Sequence, residues 1–118
     1  MYSPQLLDHF VHPRNSGELP DADARVRLEN PVCGDILELA ANVEKGCIIE
    51  IRFRAKGCVP AMACGSIITE LVTGKTRAEA RLISNEDVVK GIGGLPAASG
   101  HAAQLAIEAL RELLHKLP

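Results

Sequence analysis

Four side chains in this sequence have the chemistry to hold a metal or carry sulfur, and each falls where secondary structure is expected to change. Asn30-Pro31-Val32-Cys33-Gly34-Asp35 puts a thiol and a carboxylate two residues apart, just before a predicted strand. A second thiol, Cys58, follows Gly57 where the next strand ends, and His101 opens the last helix. Two sulfurs, an oxygen and a nitrogen form a donor set for a soft or borderline metal such as Zn²⁺. The same thiols, exposed and ionised, would also suit sulfur transfer. At element boundaries the four can converge without taking core positions, and Gly34 and Gly57 free the backbone beside each thiol for an unusual turn.

The other candidates have structural readings. Cys47 is in phase with Ile49, Ile51 and Phe53, which makes it a small apolar residue on the covered face of a strand. Cys64 shares a helical stripe with Ile67, Ile68, Leu71 and Val72, so it also reads as core. Its functional alternative is a place in the first turn of that helix, where the dipole lowers a thiol's pKa. His9 and His12 flank a turn, and His115 complements a helix C-terminus. Gly74-Lys75-Thr76 resembles the tail of a phosphate loop, but the required earlier glycine is Thr69. Gly91-Ile92-Gly93-Gly94 follows no strand and is no dinucleotide fingerprint.

The elements that must position the donors follow from periodicity. Ser3 as N-cap, Pro4 at the first helical position and the spacing of Leu6, Leu7 and Phe10 predict a short helix to about His12. Residues 21–24 read as a loop, and three strands follow. Val26 and Leu28 mark the first, Leu37, Leu39, Ala41 and Val43 the second, and Ile49, Ile51 and Phe53 the third. Glu44-Lys45-Gly46 joins the last two as an antiparallel pair. Asp35 and Cys58 then lie at the same end of that hairpin. Helices are expected from about Ala61 to Val72, after Thr76 (a capping box with Glu79), over Glu86–Lys90, and over roughly Ala98–Lys116. The expected fold is α+β, one domain spanning residues 1–118, with a three-stranded antiparallel sheet covered on one face by helices.

Composition narrows the function. Apolar residues make up 47%, enough for a core at 118 residues, but only Tyr2, Phe10 and Phe53 are aromatic. A net charge of −2 with so few stacking side chains argues against nucleic-acid binding. No apolar run approaches the roughly 20 residues that span a bilayer. The opening Met-Tyr-Ser-Pro lacks the basic and apolar segments of a secretory signal, so a cytoplasmic protein is expected, or an organellar one after removal of a transit peptide. In such a compartment four cysteines read as ligands, reactive thiols or core residues rather than disulfides.

With these residues in hand, the chain resembles the NifU/IscU family of iron–sulfur cluster scaffolds along essentially its whole length. The likeness rests on Leu7-Asp8-His9-Phe10, Pro13-Arg14-Asn15-Ser16-Gly17, Asn30-Pro31-Val32-Cys33-Gly34-Asp35, Gly57-Cys58, Gly74-Lys75-Thr76, Leu95-Pro96 and His101. The resemblance implies that Cys33, Asp35, Cys58 and His101 hold a [2Fe–2S] cluster or zinc. It also implies a cysteine desulfurase as sulfur donor and apo iron–sulfur proteins as recipients. Sulfur would arrive as a persulfide on Cys33 or Cys58, with Asp35 the exchangeable ligand. No such step requires acid–base catalysis, so a binding rather than an enzymatic role is expected. Two positions depart from the pattern. The family's His-Cys pair reads His101-Ala102, and its Leu-Pro-Pro-Val-Lys stretch reads Leu95-Pro96-Ala97-Ala98-Ser99, so the usual chaperone partner is not inferred. Cys64, extra to the pattern, replaces the missing thiol only if its helix turns that face to the loop. Three readings stay open: a cluster scaffold, a zinc-stabilised persulfide relay, and a module that only docks onto a desulfurase.

Overall fold

The order of elements follows from local signals that each end a segment. A computed structural model describes residues 1–118. In α1 (Pro4–Val11) the Ser3 hydroxyl accepts from the Leu6 amide and Pro4 starts the helix. The sheet comprises β1 (Ala24–Glu29), β2 (Ile36–Glu44) and β3 (Cys47–Lys56), antiparallel in the order β1-β2-β3. Lys45 and Gly46 both take positive φ, 53° and 79°, and close the β2–β3 hairpin as a two-residue turn of the kind that matches strand twist. Cys58 caps α2 (Val59–Val72), which therefore begins two residues earlier than the periodicity predicts. The capping boxes Thr76/Glu79 and Ser84/Asp87 start α3 (Arg77–Arg81) and α4 (Asn85–Gly91). A single 3₁₀ turn at Ala97–Ser99 precedes α5 (Gly100–Lys116).

One face of the sheet is apolar. Val26, Leu37, Leu39, Ala41, Ile51 and Phe53 are buried there in one cluster with residues of α2 and α5. Gly65 of α2 lets the helix settle on the sheet, because a Cβ at that position would stand 2.7 Å from the Phe53 ring and 3.1 Å from Leu37. The opposite face carries charge, but it is not bare. Residues 15–17 run along the free edge of β3, where the Gly17 amide donates to the Phe53 carbonyl and the Phe53 amide donates to the Asn15 carbonyl. The chain then crosses to β1, burying Leu19 against this side, where Ala40 is also buried; neither belongs to the main core cluster.

Two expectations need correction. The pairing jumps from Asn42–Glu50 to Val43–Ile48, so Ile49 is an extra residue in β3. That bulge reverses the alternation. Ile48 is fully buried, Ile49 is half exposed, and Cys47 is only partly buried, beside the bulge and the turn, rather than in phase with the covered face. Cys64 lies well inside α2, not in its first turn, and burial pushes its thiol up to about 12. It is a core residue.

Candidate metal centre

The loop before β2 is built to hold Asp35 in and Cys33 out. The Asn30 side-chain oxygen accepts from the Val32 amide (2.9 Å), and the Asn30 carbonyl accepts from the Gly34 amide (2.7 Å). Gly34 takes φ of 77°, and the Asn30 amide donates to the Asp35 carbonyl, closing the loop at its base. The result exposes Val32 and Cys33 and leaves Asp35 with 4% of its surface exposed. Across the hairpin, Ile36 pairs with Lys56, which brings Asp35 beside Gly57. A Cβ on Gly57 would lie 2.1 Å from the Asp35 Oδ1, and Gly57 has φ of 149°. Only glycine leaves room for the carboxylate there.

Cys58 completes this corner in two capacities. Its Sγ accepts from the Ala61 amide as the N-cap of α2 (3.4 Å) and donates to the Asp35 Oδ2 at 3.2 Å, while its own amide donates to Oδ1 at 3.1 Å. His101, the second residue of α5, points Nε2 at the same place, 3.5 Å from the Asp35 Oδ2 and 4.0 Å from the Cys58 Sγ. Donor atoms of Cys33, Asp35 and His101 all lie within 4.8 Å of one another. The four donors expected from the sequence thus meet at the mouth of an open cleft of about 470 Å³, which Tyr2, Gly57, Pro60 and Ser99 also line.

The electrostatics fit a waiting coordination site. Burial pushes the Asp35 carboxyl up, but hydrogen bonds from the Cys58 and Cys33 thiols and the Cys58 amide, with His101 nearby, outweigh it and hold the group below its ordinary value. Burial raises the Cys58 thiol; the Ala61 amide opposes this, and the Asp35 carboxylate, by its hydrogen bond and its charge, adds to the rise. Cys58 therefore keeps its proton, directed at Asp35, and a cation bound there would have to displace it. Ligands 2.0–2.3 Å from one Zn²⁺ at tetrahedral angles stand roughly 3.3–3.8 Å apart. The separations of 3.2, 3.5 and 4.0 Å among Cys58, Asp35 and His101 bracket that range, so small side-chain shifts would bring these three to a shared ion.

Sequence reasoning missed two parts of this arrangement. It started this helix at about Ala61, with Cys64 in the first turn as the functional alternative, whereas Cys58 caps it; the signal was Pro60, a residue favoured in a first turn. It also gave Gly57 only general flexibility. Ala102, where the family pattern has a third cysteine, is 1% exposed within the core cluster, and the cleft lining does not include it. His9 is no ligand. Its Nδ1 meets the Ser66 Oγ at 2.7 Å, and its Nε2 lies 3.4 Å from Glu70, which ties α1 to α2.

Comparison with known proteins gives this geometry a context. Residues 1–117 match the family described as "NifU-like N terminal domain". The chain is 41% identical over 114 residues to "Iron-sulfur cluster assembly scaffold protein IscU 1" of Archaeoglobus fulgidus, covering 97% of this chain and 74% of that one. It is 36% identical over 114 residues to "Iron-sulfur cluster assembly scaffold protein IscU" of Escherichia coli K12, covering 93% and 88%. The fold is shared with the crystal structure of a nitrogen-fixing NifU-like protein (N-terminal) from Brucella abortus, at a TM-score of 0.78 and 16% identity over 98% of this chain and 92% of that one. The three-stranded sheet under its helices and a sequence match along almost the entire length agree: the chain belongs to the NifU-like N-terminal domain family.

Proposed function

We propose that this protein is a scaffold on which an iron–sulfur cluster, of the [2Fe–2S] type, is assembled and from which it passes to apo-proteins. The observation that carries the reading is the convergence of Cys33, Cys58, Asp35 and His101 at one cleft mouth. The names of the relatives point the same way. Cys33 and Cys58 would supply the thiolates that clusters favour, and His101 an accepted imidazole substitute. Asp35 would be the weakest ligand and the one exchanged on release.

Each residue has a task suited to its exposure. Cys33 is exposed on its loop beside Val32, which is 93% exposed and offers a partner an apolar handle. The Cys33 thiolate attacks the outer sulfur of a persulfide on a cysteine desulfurase. The partner's S–S bond breaks, its own thiolate leaves, and the persulfide now sits on Cys33. Reduction of that sulfur to sulfide draws two electrons from a separate donor. Cys58, half-buried and hydrogen-bonded to Asp35, holds metal rather than receiving sulfur. Free of iron, the same four donors would bind Zn²⁺.

A second reading is supported by Ala102. With a methyl group where relatives of this pattern have a thiol, the site has one soft donor fewer, which suits a zinc-stabilised persulfide relay. Anaerobic incubation with Fe²⁺, cysteine and a desulfurase separates the two. The scaffold reading expects visible cluster absorption that is lost in Cys33→Ala. Persulfide on Cys33 without colour would replace it with the relay, and neither signal would sink both.

A further inference from the structure

The charged face of the sheet, away from the metal donors, contains a built groove. Strand register sets two rows across it: Arg25–Ala40–Arg52 and Arg27–Glu38–Arg54. In the first row the middle residue is a buried alanine, so two arginines flank a notch with an apolar floor. The strap at 17–19 walls one side, where Arg25 donates to the Leu19 carbonyl (2.8 Å) and Arg54 pairs with Glu18 (2.8 Å). Lys116 also lines the groove, whose volume is about 220 Å³. Its lining holds five cationic side chains against the two carboxylates Glu18 and Glu38. Just outside it Glu50 pairs with Arg52 (2.7 Å) and Glu29 lies 4.0 Å from Arg27, which leaves the groove with a surplus of one positive charge on a chain whose formal net charge is −2.

We propose that this groove is a docking site for an acidic, extended protein segment. Rows two residues apart on a strand are spaced about 6.8 Å, the repeat of alternate side chains in an extended peptide. Carboxylates at every second position would therefore meet the arginine rows in register. Charge complementarity of this kind steers and orients a partner. A dense polyanion fits less well. Glu38 occupies the middle of the second row and Glu18 the wall, and both would face its phosphates. No aromatic side chain lines the groove to stack a base. The inference does not depend on what the cleft binds.

The test uses the full chain and a fluorescent peptide of alternating Glu and Ala, followed by anisotropy. Binding is expected at low salt and lost near 1 M salt, where the Debye length falls to about 3 Å. Arg25→Glu/Arg27→Glu should weaken it by about tenfold or more. Arg25 holds the strap, so a second variant, Arg27→Glu/Lys116→Glu, changes only exposed positions and should weaken the peptide likewise. Zinc uptake by both variants should match the parent. Amide shift changes on adding peptide should fall on residues 17–19 and on β1 and β3. Unchanged affinity in the second variant, no binding at low salt, or tighter binding of polyphosphate or an oligothymidylate than of the peptide would each overturn the proposal.

Discussion

Gly57 shows how much of the site depends on what is absent. Its neighbour across the hairpin is the Asp35 carboxylate, and any Cβ would collide with Oδ1 at 2.1 Å. Gly57→Ala should therefore push the carboxylate out of the donor set and strain the backbone. Zinc affinity, read by competition with a chromophoric chelator, should fall about 10- to 100-fold, as when a supporting group of a metal site is lost. An unchanged affinity would remove Asp35 from the ligands. His9 makes a different residue-scale case. Ser66 accepts from the Arg14 amide at 2.9 Å and meets His9 Nδ1 at 2.7 Å, and its hydroxyl proton given to Nδ1 would hold the imidazole neutral with Nε2–H toward Glu70. Burial first, then the Arg14 charge, lower its pKa from the ordinary 6.5, against the opposing pull of Glu70 and Asp8. The unfolded chain then takes up this proton at a higher pH than the folded one. The His9 contribution is complete above about pH 6.5 and is lost as pH falls from there toward the folded value. Denaturant midpoints measured from pH 8 to 5.5 should fall more steeply for the parent than for His9→Gln; equal slopes would contradict the buried neutral form. Residue types announced the donors, because Cys33, Asp35, Cys58 and His101 stand outside the apolar periods. Packing roles such as those of Gly57 and Ser66 depend on neighbours distant in sequence and left no local mark.

At the scale of elements, the sequence was most legible where the signal was local. Capping boxes, the Lys45-Gly46 turn and the alternation of β2 each depend on a few adjacent residues. The β3 bulge was not legible, since the extra residue, Ile49, is apolar like its neighbours and nothing in the sequence distinguishes two inward isoleucines separated by three from an unbroken alternation. Cys47 was misassigned for that reason alone. The contact of α2 with the sheet was hidden too, because it depends on Gly65, whose missing side chain reads from sequence only as a weak helix position. Gly65→Ala should force the Phe53 ring or Leu37 to move and destabilise the protein by about 1–3 kcal/mol in chemical denaturation. Combining it with Phe53→Leu should recover part of the loss, since the smaller side chain makes room. If the pair is no better than the sum of the singles, the helix is not held at that contact.

Across the whole molecule, the four donors come from segments far apart in the chain: the loop before β2, the junction of β3 with α2, and the start of α5. A cation held by all of them would cross-link the hairpin to the last helix, closing a loop from Cys33 to His101. The unfolded chain scatters the same groups, so metal should favour the folded state. At a free Zn²⁺ concentration a hundred times the dissociation constant, the gain should be about 2.7 kcal/mol. For a domain of this size that corresponds to a rise in Tm of roughly 10–20 °C. A chelator should reverse the gain, and Cys33→Ala should reduce it sharply. Cys47→Ala supplies the contrast. Its thiol lies beside the β2–β3 turn, at the opposite end of the hairpin from Asp35 and Cys58, so this substitution should lower the baseline stability but leave the zinc increment as in the parent. Hydrogen exchange would show where the linkage acts, with zinc-dependent protection at the first turn of α5 and at residues 57–61 together. Protection confined to one of these segments would mean that His101 and Cys58 do not share an ion, and the site would reduce to a surface thiol beside an acidic hairpin end.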